Sequence, residues 1–438
     1  MHTTSPSLLL VTLLAGWLSL GTHHGAAAVA AELPADTNAI HTLTKAQAEL
    51  LAERTCQLSL DGLTSLDAET AKALAEFRGN GAAGLSLGGF TTLDADTAKA
   101  IAQFKAAFMS LSGLTTLDAD TAKNLAGFRG SHGLVLNGLT KLDADTAKAL
   151  AQFKSGALYL GGLTTLDADT AKALAQYRGS LYLNGLTTLS AESAKSLAEL
   201  RGNWMAGLCL GGLTTLSADS AKALAEFRGV LHFPRLSSLD ADTAKALADF
   251  KGRELHLSGL TALDADTAKV LARSTAWNGY LPLLTTLDAD TAKALADFTG
   301  KELHLNGLTS LDTDVAKALS ALRGNVFFST TLRGKALADN TLTPDTALGC
   351  ALILNGNLSA VTALDSPDSV AIAQALAKRK GPLSLPNLKK ISPKTLTALI
   401  QKEDVEISLI ETLELIQEPD GSPTEDFIIP QGFKQRTR

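Results

Sequence analysis

Hydrophobic and polar positions along most of this chain follow two rhythms that take turns. In Leu58-Ser59-Leu60 two leucines bracket one outward position, which is the period of a half-buried strand. Leu63 and Leu66 then return to the apolar side, and Ala71, Leu74 and Phe77 follow at helical spacing. The unit Leu-x-Leu-x-Gly-Leu-Thr-x-Leu-(Asp/Ser)-x-(Asp/Glu)-x-Ala-Lys-x-Leu-Ala-x-x-(Lys/Arg)-Gly recurs from Leu58 to Gly324. Its helix-opening residue stands at Asp67, Asp94, Asp118, Asp143, Asp167, Ser190, Ser217, Asp240, Asp264, Asp288 and Asp312, in steps of 27, 24, 25, 24, 23, 27, 23, 24, 24 and 24. So constant a period predicts a solenoid in which every coil holds one strand and one helix.

Local chemistry agrees with that division. Asp67 is placed to cap the helix, and Glu69 lies in the first turn, where the helix dipole favours an anion. Glu69 and Lys72, three residues apart, are expected to pair, as are their Asp–Lys equivalents in most coils. Gly62 is expected to permit a sharp bend, and Arg78-Gly79 to end the helix with a cation and a residue free to adopt positive φ. Both steps of 27 carry their extra residues between helix and next strand, at Asn80 to Ala83 and Asn203 to Ala206, with smaller irregularities at Ser131-His132 and at Ser274 to Asn278. Insertions on one edge of a solenoid are often where binding is built.

The ends differ from the middle. Leu8 to Leu20 is an apolar run too short for a comfortable membrane span, followed by Ala28-Val29-Ala30, so residues 1–30 are expected to be a secretory signal peptide. The expected localisation is therefore secreted, periplasmic or cell-envelope, with no membrane span in the mature chain. Residues 31–57 form an N-terminal capping helix opened by the capping box Thr44-Lys45-Ala46-Gln47, with Leu50 and Leu51 in its body. Residues 58–324 are the regular repeats. Residues 325–417 are degenerate coils, with strand segments expected at Leu352–Leu354, Leu383–Leu385 and Val405–Ile407 and helix starts at Ser366-Pro367 and Ser392-Pro393. Residues 418–438 are expected to be a disordered tail.

Composition changes the picture only at the edges. The 438 residues add coils and not domains. Charged residues make up 19% of the chain, the net charge is -6, and the two signs alternate with no basic tract, which argues against nucleic acid as a partner. Of the three cysteines, Cys56 and Cys209 sit six coils apart, roughly 29 Å at about 4.8 Å per strand, too far for a disulfide. Stability must then come from stacking.

The core of Leu134-Val135-Leu136-Asn137-Gly138-Leu139-Thr140-Lys141-Leu142 resembles the leucine-rich repeat. The resemblance runs from about Leu43 to Leu413, strongly through Gly324. Where the commoner form has asparagine this chain has Leu63, Leu114 and Leu139, so it lacks the asparagine ladder and looks more like the bacterial secreted or surface subtype. Leu383-Ser384-Leu385-Pro386-Asn387-Leu388-Lys389-Lys390-Ile391 comes nearest to that subtype. The resemblance implies an α/β solenoid, a right-handed horseshoe with parallel strands on the concave face and short helices on the convex face. It also implies a role in recognition, without naming a ligand.

Several motifs have plainer explanations than chemistry. Gly79-Asn80-Gly81-Ala82-Ala83-Gly84 matches a dinucleotide fingerprint but follows a helix and opens a strand, the reverse of what cofactor binding needs. Ser86 matches a nucleophile elbow but lies mid-strand. The stacked Asp-Ala-Asp-Thr series offers oxygens to Ca²⁺, yet N-capping alone explains it. No cofactor is expected.

The informative positions are those between the paired strand leucines: Ser59, Ser86, Ser110, Val135, Tyr159, Tyr182, Cys209, His232, His256, Tyr280, His304 and Phe327. Early coils offer small residues, and middle and later coils offer rings. Drift among strand-forming residues is one explanation. A surface that recognises a protein or glycan is another. A metal or hydrolytic site at Cys209, His232 and His256 is a third, hampered by the flat geometry of a ladder. The expected contact surface is the patch Tyr159, Tyr182, Cys209, His232, His256, Tyr280 and His304, with Trp204 and Trp277 on its rim. The expectation is a non-enzymatic binding or scaffold module, with a ligand-free structural envelope protein as the alternative.

Overall fold

The structure is a computed structural model that describes residues 33–77, 83–200, 206–338, 342–402, 404–408 and 412–419, with side chains at 335–338 left aside. The expected signal peptide, Trp204, the Arg78-Gly79 stop, most of the Gly79–Gly84 motif and nearly all of the expected tail lie outside the described residues.

The fold is an α/β solenoid of stacked coils, with the parallel strands on one side and the helices on the other. Strands β1 (Leu58–Ser59), β2 (Gly84–Ser86), β3 (Phe108–Ser110), β4 (Gly133–Val135), β5 (Ala157–Tyr159), β6 (Ser180–Tyr182), β7 (Gly207–Cys209), β8 (Val230–His232) and β9 (Glu254–His256) form one parallel sheet in sequence order. Strands β10 (Glu302–Leu305) and β11 (Asn325–Phe328) pair beyond it. Helix α1 (Lys45–Ala52) precedes the sheet. Each of α2 (Ala68–Ala75), α3 (Ala95–Ile101), α4 (Ala119–Leu125), α5 (Ala144–Leu150), α6 (Ala168–Leu174), α7 (Ala191–Ala198), α8 (Ala218–Leu224), α9 (Ala241–Ala248), α10 (Ala265–Leu271), α11 (Ala289–Leu295) and α12 (Thr313–Leu319) packs on its neighbour in the chain.

Register locks the layers together. Leu134, Leu158 and Leu181 are direct partners across β4, β5 and β6, and all three are fully buried. Each buried leucine contributes about 1.5–3 kcal/mol, so a coil with five or six of them is held firmly once it has a neighbour. A second interior stack runs along the helix ends, where Phe77 lies 4.8 Å from Phe104 and Phe153 6.1 Å from Tyr177. The Tyr177 hydroxyl donates to the Gly156 carbonyl at 2.8 Å, so its burial leaves no polar group stranded.

Coil closeness, not backbone freedom, explains the recurring glycines at the positions of Gly62 and Gly130. A Cβ at Gly62 would stand 2.0 Å from the Asn38 carbonyl oxygen of the coil below. At Gly130, the equivalent of Gly79, a Cβ would meet the Phe128 ring at 2.4 Å, and neither glycine has a positive φ. The expected left-handed helix stop is therefore not used at Gly130; the glycine makes room for the interior ring.

Helix starts follow the sequence. The Asp143 carboxylate accepts the Thr146 N–H at 2.8 Å, and Thr44 and Gln47 form the capping box. The Glu69–Lys72 pair forms at 2.6 Å, but the Asp–Lys equivalents in the other coils make no ion pair among the described residues, and those charges stay in water.

Beyond Phe328 the chain departs from expectation in two places. Leu352–Leu354 is not a strand: Pro344–Ile353 is a helix, started by a capping box at Thr343 with proline at its first turn. It ends where Asn355 and Gly356 take positive φ, and the strand position passes to Asn357, which bridges Ser384. The helix over Ser369–Ala377 is not capped by Ser366, because Asp368 holds the N-cap without a side-chain bond. Ser392 caps its helix as expected, and Leu383–Leu385 pairs in parallel with Val405–Ile407.

Candidate recognition face

The outward residues of the strands form one column in register. Val135 pairs with Tyr159, Tyr159 with Tyr182, Tyr182 with Cys209, Cys209 with His232, and His232 with His256. The column is interrupted once and resumes with Tyr280, His304 and Phe327. Its members are half-buried except Tyr280, which is 37% exposed. The helices cover the opposite side of the sheet, so this face is open.

The column has two chemically distinct halves. At the first coils Asp61 gathers the serines: its carboxylate accepts from the Ser59 hydroxyl at 2.9 Å, the Ser86 hydroxyl at 2.5 Å and the Gly88 N–H at 2.6 Å. Burial pushes the Asp61 carboxyl up, but these donors outweigh it and hold it below the usual carboxylate range. Asn137 and Asn184 accept the next coil's Gly161 and Gly211 N–H groups in the same way.

Rings dominate the second half. Tyr159 and Tyr182 stack at 4.4 Å and His304 and Phe327 at 4.7 Å, while His232 and His256 meet at 4.2 Å with their rings tilted by 32°. Tyr280 meets His304 edge-on at 5.4 Å. Two carboxylates outside the outward column support the histidines: Glu254 lies 3.1 Å from His256 Nε2, and Glu302 lies 3.4 Å from His304 Nε2. Asn278 donates to His256 Nδ1 at 2.9 Å, which places the His256 ring proton on Nε2, facing Glu254. The repeated Glu-Leu-His at 254–256 and 302–304 was the available signal.

Electrostatics keep the middle of the column uncharged at neutral pH. Burial, and then the neighbouring His256, bring His232 down to about 4. Burial pushes the Cys209 thiol and the Tyr182 phenol up. A protonated thiol beside a neutral imidazole is a poor nucleophile and a poor metal ligand. Among the described residues no group of three His, Cys, Asp or Glu side chains is arranged to hold a metal ion. None of the three cysteines is in a disulfide.

Trp277 is not on the rim. It is 3% exposed, it bridges Leu255 as an inward strand residue, and its ring meets Phe298 edge-on at 5.1 Å. The neighbouring coils carry Phe250 and Phe298 at the helix end, but this coil has the small Ser274, and the indole takes the space a phenyl ring would fill. Accommodating it bulges the chain through Asn278 and Gly279 (φ 68), which breaks the long sheet between β9 and β10 and leaves Tyr280 prominent.

A separate cleft lies elsewhere. About 610 Å³ opens between α1 and α2 on the helix side, lined by Glu49, Glu53, Glu69, Glu76, Lys45 and Lys72. It is a wedge between cap and first coil with charges of both signs, and it shares no residue with the column. Convergent rings in register are the stronger mark of a contact surface.

The chain matches no protein-family model and no curated protein. Among solved structures, a TLR13 chain in complex with ssRNA13 aligns at TM-score 0.39 and 16% identity over 77% of this chain and 44% of its own. Rad7 from the yeast Rad7–Elc1 complex aligns at TM-score 0.33 and 14% identity, over 90% of this chain and 93% of that one. A chain of the Drosophila Toll–Spatzle complex gives TM-score 0.36 and 13% identity over 83% and 51%. This chain thus spans less than half the length of the first of these. Among the described residues no helix is long and apolar enough to cross a membrane.

Proposed function

We propose that this protein is a non-enzymatic, exported recognition module whose open sheet face binds a protein ligand through Tyr159, Tyr182, Cys209, His232, His256, Tyr280 and His304. The observation that carries the proposal is the in-register column of rings on the face the helices leave uncovered. Such rings supply large contact area at low entropic cost. Stacking turns the faces of Tyr159 and Tyr182 toward each other, so a ligand meets ring edges and hydroxyls. That favours a protein surface over a glycan, whose sugars pack on ring faces. No Lys or Arg stands in the column, so a nucleic-acid ligand is not proposed.

Replacement of Tyr182, His256 and Tyr280 together by Ser should abolish cross-linking of ligand proteins from the native cell envelope. Replacement of the helix-face residues Lys148, Lys172 and Lys269 by Ser should leave it intact. Equal capture by both variants sinks the proposal, and no capture by the unaltered protein favours a purely structural envelope role.

A further inference from the structure

The helix side carries a pattern that the open face does not use. In α8, Asp219 and Lys222 are exposed, as are Glu226 and Arg228 just past the helix end. The first two positions recur in every regular coil, acidic and then lysine; the third is acidic or amide except at Gly127, Arg273 and Ala321, and the fourth is basic except at Thr275 and Thr299, so columns run along the stack. Between them lie small residues such as Ala173 and Ala223, only half-covered, which let another surface approach closely. Apart from Glu69–Lys72 and Lys251–Glu226, these columns form no ion pairs among the described residues.

The order of signs has a symmetry. Read from helix start to helix end it is minus, plus, minus, plus in the consecutive coils of α7, α8 and α9, and reversing the helix direction there converts every sign into its opposite. A twofold axis parallel to the stack reverses the helices while keeping the coils in step. It sets the first column against the partner's fourth and the second against the partner's third. A twofold axis along the helices would instead set every column against itself, so the charges select one arrangement. Both partners also have the same period, and coil-to-coil mismatch cannot accumulate.

We propose that the helix face is a self-association surface and that its occupant is a second copy of this chain, docked helices to helices with the two stacks running the same way. Contact is closest over the middle coils, and both sheet faces remain open. Single exposed ion pairs are weak and screened by salt, so the pairing depends on many rows acting together and on ionic strength.

Sedimentation velocity at about 0.05 M and about 0.5 M salt tests this, because the Debye length shrinks several-fold between them. The unaltered chain should dimerise at low salt and dissociate at high salt. Lys195→Glu, Lys222→Glu and Lys245→Glu combined should be monomeric at both, as should Glu199→Lys, Glu226→Lys and Asp249→Lys combined. An equimolar mixture of the two should dimerise again at low salt, since each reversed column then meets its opposite. Tyr182→Ser should associate normally. If the triple variants melt early, Lys222→Glu and Glu226→Lys give the same contrast in one coil. A monomeric unaltered chain at low salt, a reversed variant that still associates alone, or folded variants that fail to pair when mixed would each overturn the proposal.

Discussion

Two residues of similar type met opposite fates here. Trp277 and Tyr280 stand three apart in an irregular stretch, yet one fills the core beside Ser274 and the other is among the most exposed apolar residues described. Nothing local distinguishes them, because the vacancy at Ser274 is defined by Phe250 and Phe298 of the adjoining coils. His232 shows the energetic side of such placement. Its folded pKa of about 4 lies below the unfolded 6.5, so the unfolded chain binds the extra proton between those values. Stability is therefore full above pH 6.5 and falls as pH drops toward 4. Discounted for the ring's contact with water, the loss is on the order of 1 kcal/mol. His232→Phe should flatten that part of the dependence of melting temperature on pH, and parallel curves for the two proteins would refute the assignment.

Within the elements, the helix starts were legible, since Asp, Ser and Thr announce caps through short-range geometry. What the period hid is the buried hydroxyl three residues after every cap from Asp67 to Asp288. Thr170 Oγ1 lies 2.8 Å from Asp167 and 3.2 Å from the Leu142 carbonyl of the previous coil. In the coils capped by serine the contest for the single proton is resolved: Ser190 donates to Ser193 at 3.0 Å, and Ser193 donates to Leu166 at 2.7 Å. Thr170→Val should cost about 1–3 kcal/mol in chemical denaturation by stranding the Leu142 carbonyl, while Thr170→Ser should cost far less. Equal losses would show that packing and not the hydroxyl matters. Recurrent Thr or Ser at that position was the visible clue. Leu352–Leu354 misled for the converse reason: an apolar triplet fits a strand or a buried helix, and Pro344 decided it from eight residues upstream.

The whole molecule is held coil to coil, so its stability should be close to a sum over neighbours. Removing Ala144–Asp167, a run of 24 residues from one cap to the next, joins Asp143 to Ala168 in register. The shortened chain should fold, with circular dichroism reduced by one coil and a modest loss in denaturation midpoint. Removing half that run should unfold the centre, because it sets a strand where a helix belongs. An unfolded product from the full-coil excision would mean that the coils depend on more than their neighbours.

The sequence by itself determined the regular coil: which of its residues make strand and helix, where its helix begins, and which column faces outward. Those follow from interactions within about one repeat, and repetition leaves little room for alternatives. Only the tertiary structure decided that Trp277 is core, that the sheet breaks beside Tyr280, that Glu254 and Glu302 hold the histidines, and that Gly62 and Gly130 serve coil contact and not chain reversal. Each of these depends on atoms about a full repeat or more away along the chain and a few ångströms away in space, a relation that periodicity aligns but does not measure.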